Sequence, residues 1–453
     1  MNIFAFIFFL FALQLICLIV GKKSTEQMSN NDDYFLAGKG IGFFPLVMTF
    51  LATQIGGGIV LGATEEAYRY GWYVLLYPLG ASLGLLVLGM GVGRKLSQFN
   101  VSTIAQIFEV VYGSAKLKQI ASSLSILSLF MILVAQIIAS NKFMTSIGVA
   151  HPLIFIGFWG LVIFYTAMGG LKAVVATDMI QAAFFILVFI ATIIFIGKEM
   201  PGEMLFKGNQ ESFSFEPGKL CGWLLMPLLF MVIEQDMGQR CFAAESPKIV
   251  TAATLCAALG TFLIGLIPVS LGVLANRMDI SNPEGGSILM AIVTQMTSPI
   301  FTALVACAIL AALISTSDSL INAISSNLSQ DFGFSVMENL RSSQVISALI
   351  ALSAIVFSYY FNNIVDLLIQ SYELSVSCLF IPLLIAIFKP RGRAFSAAIA
   401  IGAGALGFCI FRAFPQSIPK EILSICLSLG GFMMGELFAK LANTRGFLKR
   451  ELM

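Results

Sequence analysis

Long apolar stretches separated by short polar ones recur along the whole chain. Windows long enough to cross a bilayer, about 17–25 residues, can be placed thirteen times: 2–20, 43–64, 72–93, 120–141, 152–168, 173–197, 221–240, 250–274, 297–328, 343–360, 364–388, 395–412 and 421–440. The ninth is long enough to continue beyond the membrane on one side. The longest connection, about 198–219, contains Pro201 and Pro217 and predicts a surface loop. The pattern therefore predicts an all-α polytopic membrane protein without a soluble domain.

Two spans break the apolar pattern. The second is interrupted by Gln54-Ile55-Gly56-Gly57-Gly58, and the seventh carries Glu234-Gln235-Asp236-Met237-Gly238-Gln239-Arg240. Each glycine weakens a helix by about 1 kcal/mol relative to alanine, so three together invite a break. Backbone opened there needs a partner, because lipid offers none. The alternative is close helix packing through small residues. These two spans head two possible five-helix sets, spans two to six and seven to eleven. Interrupted segments at matching places in two halves point to the midplane site of an inverted-repeat transporter.

The ninth span carries a polar stripe. Ser315, Asp318, Ser319, Asn322 and Ser326 follow i, i+3, i+4 spacing and share one helix face. Hard cations such as sodium are held by oxygen ligands of this kind. Hydroxyls also glue membrane helices together, which accounts for the serines. It does not account for Asp318, a carboxylate that costs about 2.5–3.5 kcal/mol at a helix centre on insertion scales.

Composition sharpens the class. Of 453 residues, 58% are hydrophobic and 11% charged, against about 25% charged in soluble proteins. The eight cysteines form no C-x-x-C pair, and most lie inside apolar runs as small core residues. A net charge of +2 gives no reason to expect a nucleic-acid partner. His151 is the single histidine, which excludes His-dependent triads and H-E-x-x-H chemistry within this chain; before Pro152 it reads as a solvated interfacial residue. With no nucleophile–base pair or metal cluster visible, an intramembrane enzyme is the remote alternative. A passive channel lacks a filter motif, and a receptor would need an output domain.

Residues 2–20 resemble a signal-peptide core but have no basic n-region and no small-residue cleavage site. Lys22 and Lys23 follow them, which predicts an uncleaved first helix with its N-terminus outside. Thirteen spans then put the C-terminus inside and most of the 26 basic residues on the inner side, as the positive-inside rule requires. The expected organisation is one transmembrane domain over 1–453. Residues 1–42 hold the first helix and a loop, 43–197 a first repeat, 198–219 an external loop and 220–388 a second repeat. Residues 389–453 hold two additional helices and a cytoplasmic tail.

Several segments resemble the sodium:solute symporter family, in order along nearly the whole chain. Tyr34-Phe35-Leu36-Ala37-Gly38-Lys39 looks like its F-L-A-G-R segment before the second span. Gly169-Gly170-Leu171-Lys172-Ala173-Val174 through Thr177-Asp178-Met179-Ile180-Gln181 looks like its G-G-L-x-A-V-x-x-T-D-x-I-Q signature. Gln239-Arg240 match the Q-R closing its seventh helix, and Ala312 to Thr316 match a small-x-x-Ser-Ser/Thr run in its ninth.

The resemblance implies a leucine-transporter-like fold and uptake of a small organic solute coupled to sodium. It implies a sodium site made of the Ala52, Ile55 and Ala312 carbonyls with the Ser315 and Thr316 hydroxyls. Some relatives hold a second sodium, which here suggests Asp178 with Ser315, Asp318 and Ser319. Two carboxylates depart from the hydroxyl-only ninth-helix version, and they either strengthen cation binding or carry a proton instead. The competing reading of Asp178 is a partner for Lys172 or a helix cap.

For the solute, the resemblance points to Gln54, Gly57, Gly58, Glu234 and Gln235 between the broken spans, with Phe230 as an aromatic gate. The alternative for Phe230 is a lipid-facing side chain. Glu234 and Asp236 are departures, since the sugar and proline branches are usually uncharged there. One of them facing the solute would favour a cationic or amine-bearing molecule. For Asp236, pairing with Arg240 at i+4 is the preferred reading, while Glu373 has no assignable role. The main alternative function is proton-coupled or sodium-independent transport on the same fold. Sugars, amino acids, carboxylates, vitamins and amines all remain open as solutes, and a bacterial inner membrane is the default location.

Overall fold

The structure is a computed structural model describing all residues except 26–30, 150, 200–216, 281–285, 333–339, 362, 390–391, 415–417 and 452–453. Among the described residues the chain is helical throughout, and the only β-type pairing is an isolated bridge between Ile41 and Ala244. Each of the thirteen apolar windows falls on helix. Among the described residues ten helices are long and apolar enough to cross a membrane, or eleven counting one bent pair, and Phe43–Gln54 and Leu153–Phe164 are shorter apolar helices. The loop expected over 198–219 lies mostly outside the described residues.

Helix Pro299–Asp331 runs through the centre, with 83% of its most apolar window buried. Its Ala303, Ala306, Cys307, Ala308, Ala311 and Ala312 have no exposed surface, and such small residues let neighbouring backbones approach closely. The first helix, Ile3–Thr25, lies at the periphery with 22% of its window buried. Phe4, Phe8 and Phe11 face outward from it, as lipid-facing residues do.

The interruptions seen in the sequence are real breaks. Helix Phe43–Gln54 ends at Ile55, whose ψ of 67° is not helical, and the chain resumes as a π-helical turn at Gly58–Gly62 before Ala63–Tyr70. Helix Pro217–Ile233 stops at Glu234, which is extended (ψ 126°), and Gln235–Ala243 continues from it at a bend of 43°. The two broken helices are antiparallel at the site. The first begins where the second ends, and the Ile41 N–H donates to the Ala243 carbonyl at 3.1 Å while Glu245 N–H donates to Ile41 at 3.0 Å.

A third interruption separates the fifth and sixth windows. Helix Pro152–Glu199 is broken at Gly170, with φ 55° and ψ −170°. A Cβ there would meet the Tyr34 carbonyl oxygen at 2.6 Å. Positive φ and close approach both require glycine, which explains Gly170 in the signature. We expect Gly170→Ala to destabilise the protein by at least about 1–3 kcal/mol through strain and overpacking. Thermal unfolding in lipid nanodiscs checks this, with Gly197→Ala, where a Cβ meets nothing within 4 Å, as the control.

Candidate functional site

Breaking a helix inside a bilayer frees backbone groups, and three of those at the first break have side-chain partners. The Ala52 carbonyl accepts from Ser315 Oγ at 3.0 Å and Thr316 Oγ1 at 3.2 Å, and the Thr53 carbonyl accepts from Thr316 at 3.1 Å. On the other side, the Gly57 N–H donates to Gln136 Oε1 at 2.7 Å. The same two hydroxyls also reach the Ala312 carbonyl, at 3.0 and 3.2 Å. Ala52, Ala312, Ser315 and Thr316 thus form one buried cluster of neutral oxygens. Ile55 is buried at the break beside them.

Next along the stripe stands a cluster of charges. Asp178 and Arg240 have no exposed surface and pair at 3.3 Å. Arg240 Nε donates to Thr49 Oγ1 at 2.9 Å, and Nη2 donates to Ser319 Oγ at 2.5 Å. Thr49 in turn donates to Asp178 at 2.5 Å. Asp178 and Ser319 are therefore neighbours, as the sequence suggested, but a guanidinium lies between them. Asp318 turns to a different neighbour and accepts a hydrogen bond from Thr166 Oγ1.

Two sequence expectations are corrected here. Asp178, offered alternatively as a helix cap, lies inside a helix and binds Arg240. The Asp236 carboxylate does not pair with Arg240, whose Nη1 instead donates to the Asp236 main-chain carbonyl at 3.1 Å. The i+4 geometry was available, but the guanidinium satisfies more of its N–H groups by crossing to the Asp178 and Asp318 helices.

Between the broken helices lies a small cavity of about 20 Å³. Gln54, Gly58, Glu234 and Asp236 line it, with Tyr77 and Tyr372. Phe230 is 2% exposed and stacks on Tyr372 at a centroid distance of 4.5 Å, so it is not a lipid-facing residue. Gln235 is turned away: its amide accepts from Ile104 N–H at 2.7 Å and donates to the Ser102 carbonyl at 3.2 Å. Gly57 backs onto Ala139 and Leu313 rather than the cavity. Sequence reasoning missed Gln136, Tyr77 and Tyr372, all on the cavity wall. Only Gln136, a polar residue inside an apolar window, carried a signal.

Glu373, without a role in the sequence reading, is buried and takes Lys420 Nζ at 2.9 Å and Arg412 Nη1 at 3.7 Å. It closes one wall of a recess of about 760 Å³ shared with Lys219 and Trp223. His151 is exposed, and its Nδ1 accepts from Leu153 N–H at 3.3 Å.

Segments distant in sequence meet at this centre. Gln239 donates to the Phe35 carbonyl at 2.7 Å and to Asn322 at 3.0 Å, while its neighbour Arg240 reaches Asp178. A sequence model of the sodium:solute symporter family matches residues 34–404. The chain belongs to the sodium:solute symporter family. It is thereby a multi-pass membrane protein.

Among similar proteins, a sodium/pantothenate symporter of Haemophilus influenzae is 29% identical over 171 residues, 36% of this chain and 35% of that protein. A high-affinity choline transporter of Drosophila melanogaster is 24% identical over 339 residues, 70% of this chain and 54% of that protein. The chain thus spans about a third of the length of the first and about half of the second. The structure of a sodium-coupled sialic acid symporter, substrate-bound and outward-open, superposes with a TM-score of 0.78 at 18% identity, covering 96% of this chain and 98% of that one. At that identity the likeness establishes the fold, which is leucine-transporter-like.

Removing one member of a buried ion pair leaves the other uncompensated, at a cost of about 3–5 kcal/mol. Arg240→Met should therefore destabilise this symporter-family protein by that amount. Adding Asp178→Asn should recover much of the loss. A double-mutant cycle on thermal or denaturant unfolding measures the coupling.

Proposed function

We propose that the protein is a secondary active transporter that couples inward sodium movement to uptake of a small organic solute by alternating access. The observation that carries this reading is the convergence of the Ser315 and Thr316 hydroxyls on the Ala52 carbonyl, freed where the first broken helix ends. Neutral carbonyl and hydroxyl oxygens suit a hard monovalent cation, since they replace its water ligands without adding charge. In this reading Ala52, Ile55, Ala312, Ser315 and Thr316 hold the sodium. Family membership and the sodium-coupled relatives support the same conclusion.

Coupling follows from shared residues. Thr316 belongs to the oxygen cluster and also lines the solute cavity. A Cβ on Gly56 would lie 2.4 Å from its hydroxyl, so the break is packed directly against the sodium ligands. An ion bound there steadies the break that shapes the solute cavity. The solute site in this reading comprises Gln54, Gly58 and Glu234, with Phe230 and Tyr372 as the aromatic side. The thirteen crossings, with the N-terminus outside, the C-terminus inside and two inverted five-helix repeats over 43–197 and 220–388, are part of the proposal. A bacterial inner membrane suits it.

The position suggested for a second cation, between Asp178 and Ser319, is taken by the Arg240 side chain. A fixed internal cation there supports one sodium ion per transport cycle. Sodium activation of uptake in proteoliposomes should therefore show a Hill coefficient near one. Removing both hydroxyls in Ser315→Ala/Thr316→Ala should raise the sodium concentration for half activation at least about tenfold, the equivalent of about 1.4 kcal/mol. Uptake indifferent to an imposed sodium gradient would remove the sodium reading. Uptake that survives without sodium but collapses with an uncoupler would favour the proton-driven alternative.

A further inference from the structure

Glu234 and Asp236 are 6% and 0% exposed and line the cavity between the broken helices. Glu234 Oε2 and both Asp236 carboxylate oxygens are buried without a hydrogen-bond partner. Two carboxylates side by side in a dry place are among the most expensive arrangements a protein can hold, because each buried ion carries a large desolvation penalty. The cation nearest along the chain is already engaged: Arg240 bonds Thr49, Asp178, Ser319 and the Asp236 main chain.

The other local source of positive potential is the N-terminus of helix Gln235–Ala243, whose first turn contains Asp236. A helix dipole favours a nearby anion only modestly, and the Glu234 side chain makes no cap hydrogen bond. The helix end therefore does not satisfy the open acceptors of the pair. What is lacking is a cation that brings hydrogen-bond donors.

We propose that the Glu234–Asp236 pair binds the protonated primary or secondary amine of the transported solute. This deepens the transporter reading above and rests on it. The unpartnered atoms are acceptors, so N–H donors satisfy them and charge is compensated in the same contact. A quaternary ammonium brings charge but no donor, and leaves the acceptors unmet. The space left beside the two carboxylates holds about one water-sized group, the size of an ammonium head. Tyr77 and Tyr372 present aromatic surface to the same space, favourable to a cation. Ile59, Ile132, Leu320 and Leu368 complete the wall of the same cavity with apolar surface.

The test uses the full chain in lipid nanodiscs with sodium present, reading the thermal unfolding midpoint against butylammonium, tetramethylammonium, butanol and butyrate. A ligand of the native state raises the midpoint. Butylammonium should do so saturably and the other three should not. Glu234→Gln and Asp236→Asn should each weaken the butylammonium response about 10- to 100-fold, as loss of a charged hydrogen bond implies. Both variants should keep the midpoint rise given by sodium alone, which shows that they are folded.

An equal response to tetramethylammonium, butanol or butyrate would overturn the proposal. So would a butylammonium response unchanged in both variants, or stabilisation by acid in place of any response to amine, which would assign the pair to a proton. A protein that answers to sodium but not to butylammonium overturns this inference alone. One that ignores sodium removes the transporter reading with it.

Discussion

A bilayer supplies no hydrogen bonds, so every backbone group released by a broken helix must be satisfied from within the protein. Much of the site follows from that constraint. Opening the chain at Ile55 to Gly57 exposes carbonyls on one side and an N–H on the other. The N–H goes to Gln136, while the carbonyls go to Ser315 and Thr316. The carbonyl side is the one able to receive a cation. Glycine at 56 and 58 lets the break lie against Thr316, Tyr77 and Leu368 without clash.

The same medium dictates how charge is arranged. Arg240 satisfies four N–H contacts across three other elements, joining its own half-helix to the Thr49, Asp178 and Ser319 helices. It behaves as a permanent cation at the junction of both broken helices with the central one. The Ile41–Ala244 bridge fastens the same two broken helices near their ends. The Glu234 and Asp236 carboxylates lie at the other end of the Gln235–Ala243 half-helix, and neither is hydrogen-bonded to Arg240. The protein thus compensates one acidic position with its own side chain and leaves a second acidic pair at the cavity. In the proposed cycle that contrast separates a structural cation from a transported one.

Much of this was legible one residue at a time. The thirteen apolar windows all fall on helix, and both expected breaks occur at the glycine run and at Glu234. Three of the four motif segments also proved to be neighbours, with Gly170 against Tyr34, Gln239 on Phe35 and Arg240 on Asp178. Other readings failed for one shared reason. Asp236 and Arg240 have the spacing of a helical pair, yet the guanidinium leaves its own helix because buried N–H groups require acceptors and Asp178 is within reach. Gln235 and Gly57 belong to the right segments but point away, since side chains around a broken helix face three or four different neighbours. Tyr77 and Tyr372 were invisible because an aromatic residue in an apolar span resembles any other until its neighbours are known.

By itself the sequence determined that the chain is a bundle of membrane helices, where two of them break, and which central helix carries a stripe of polar side chains. Those properties follow from local hydrophobicity, glycine content and helical periodicity, which need no partner. Only the tertiary structure decided which partner each polar group takes: Ser315 with Ala52, Asp318 with Thr166, Arg240 with Asp178, and Glu234 and Asp236 with neither arginine nor lysine. The reason is physical. In a low-dielectric interior a polar group's state is set by the few atoms within hydrogen-bonding distance. Here those atoms come from helices 62 to 263 residues apart in the chain, as with Arg240 and Asp178 or Ser315 and Ala52.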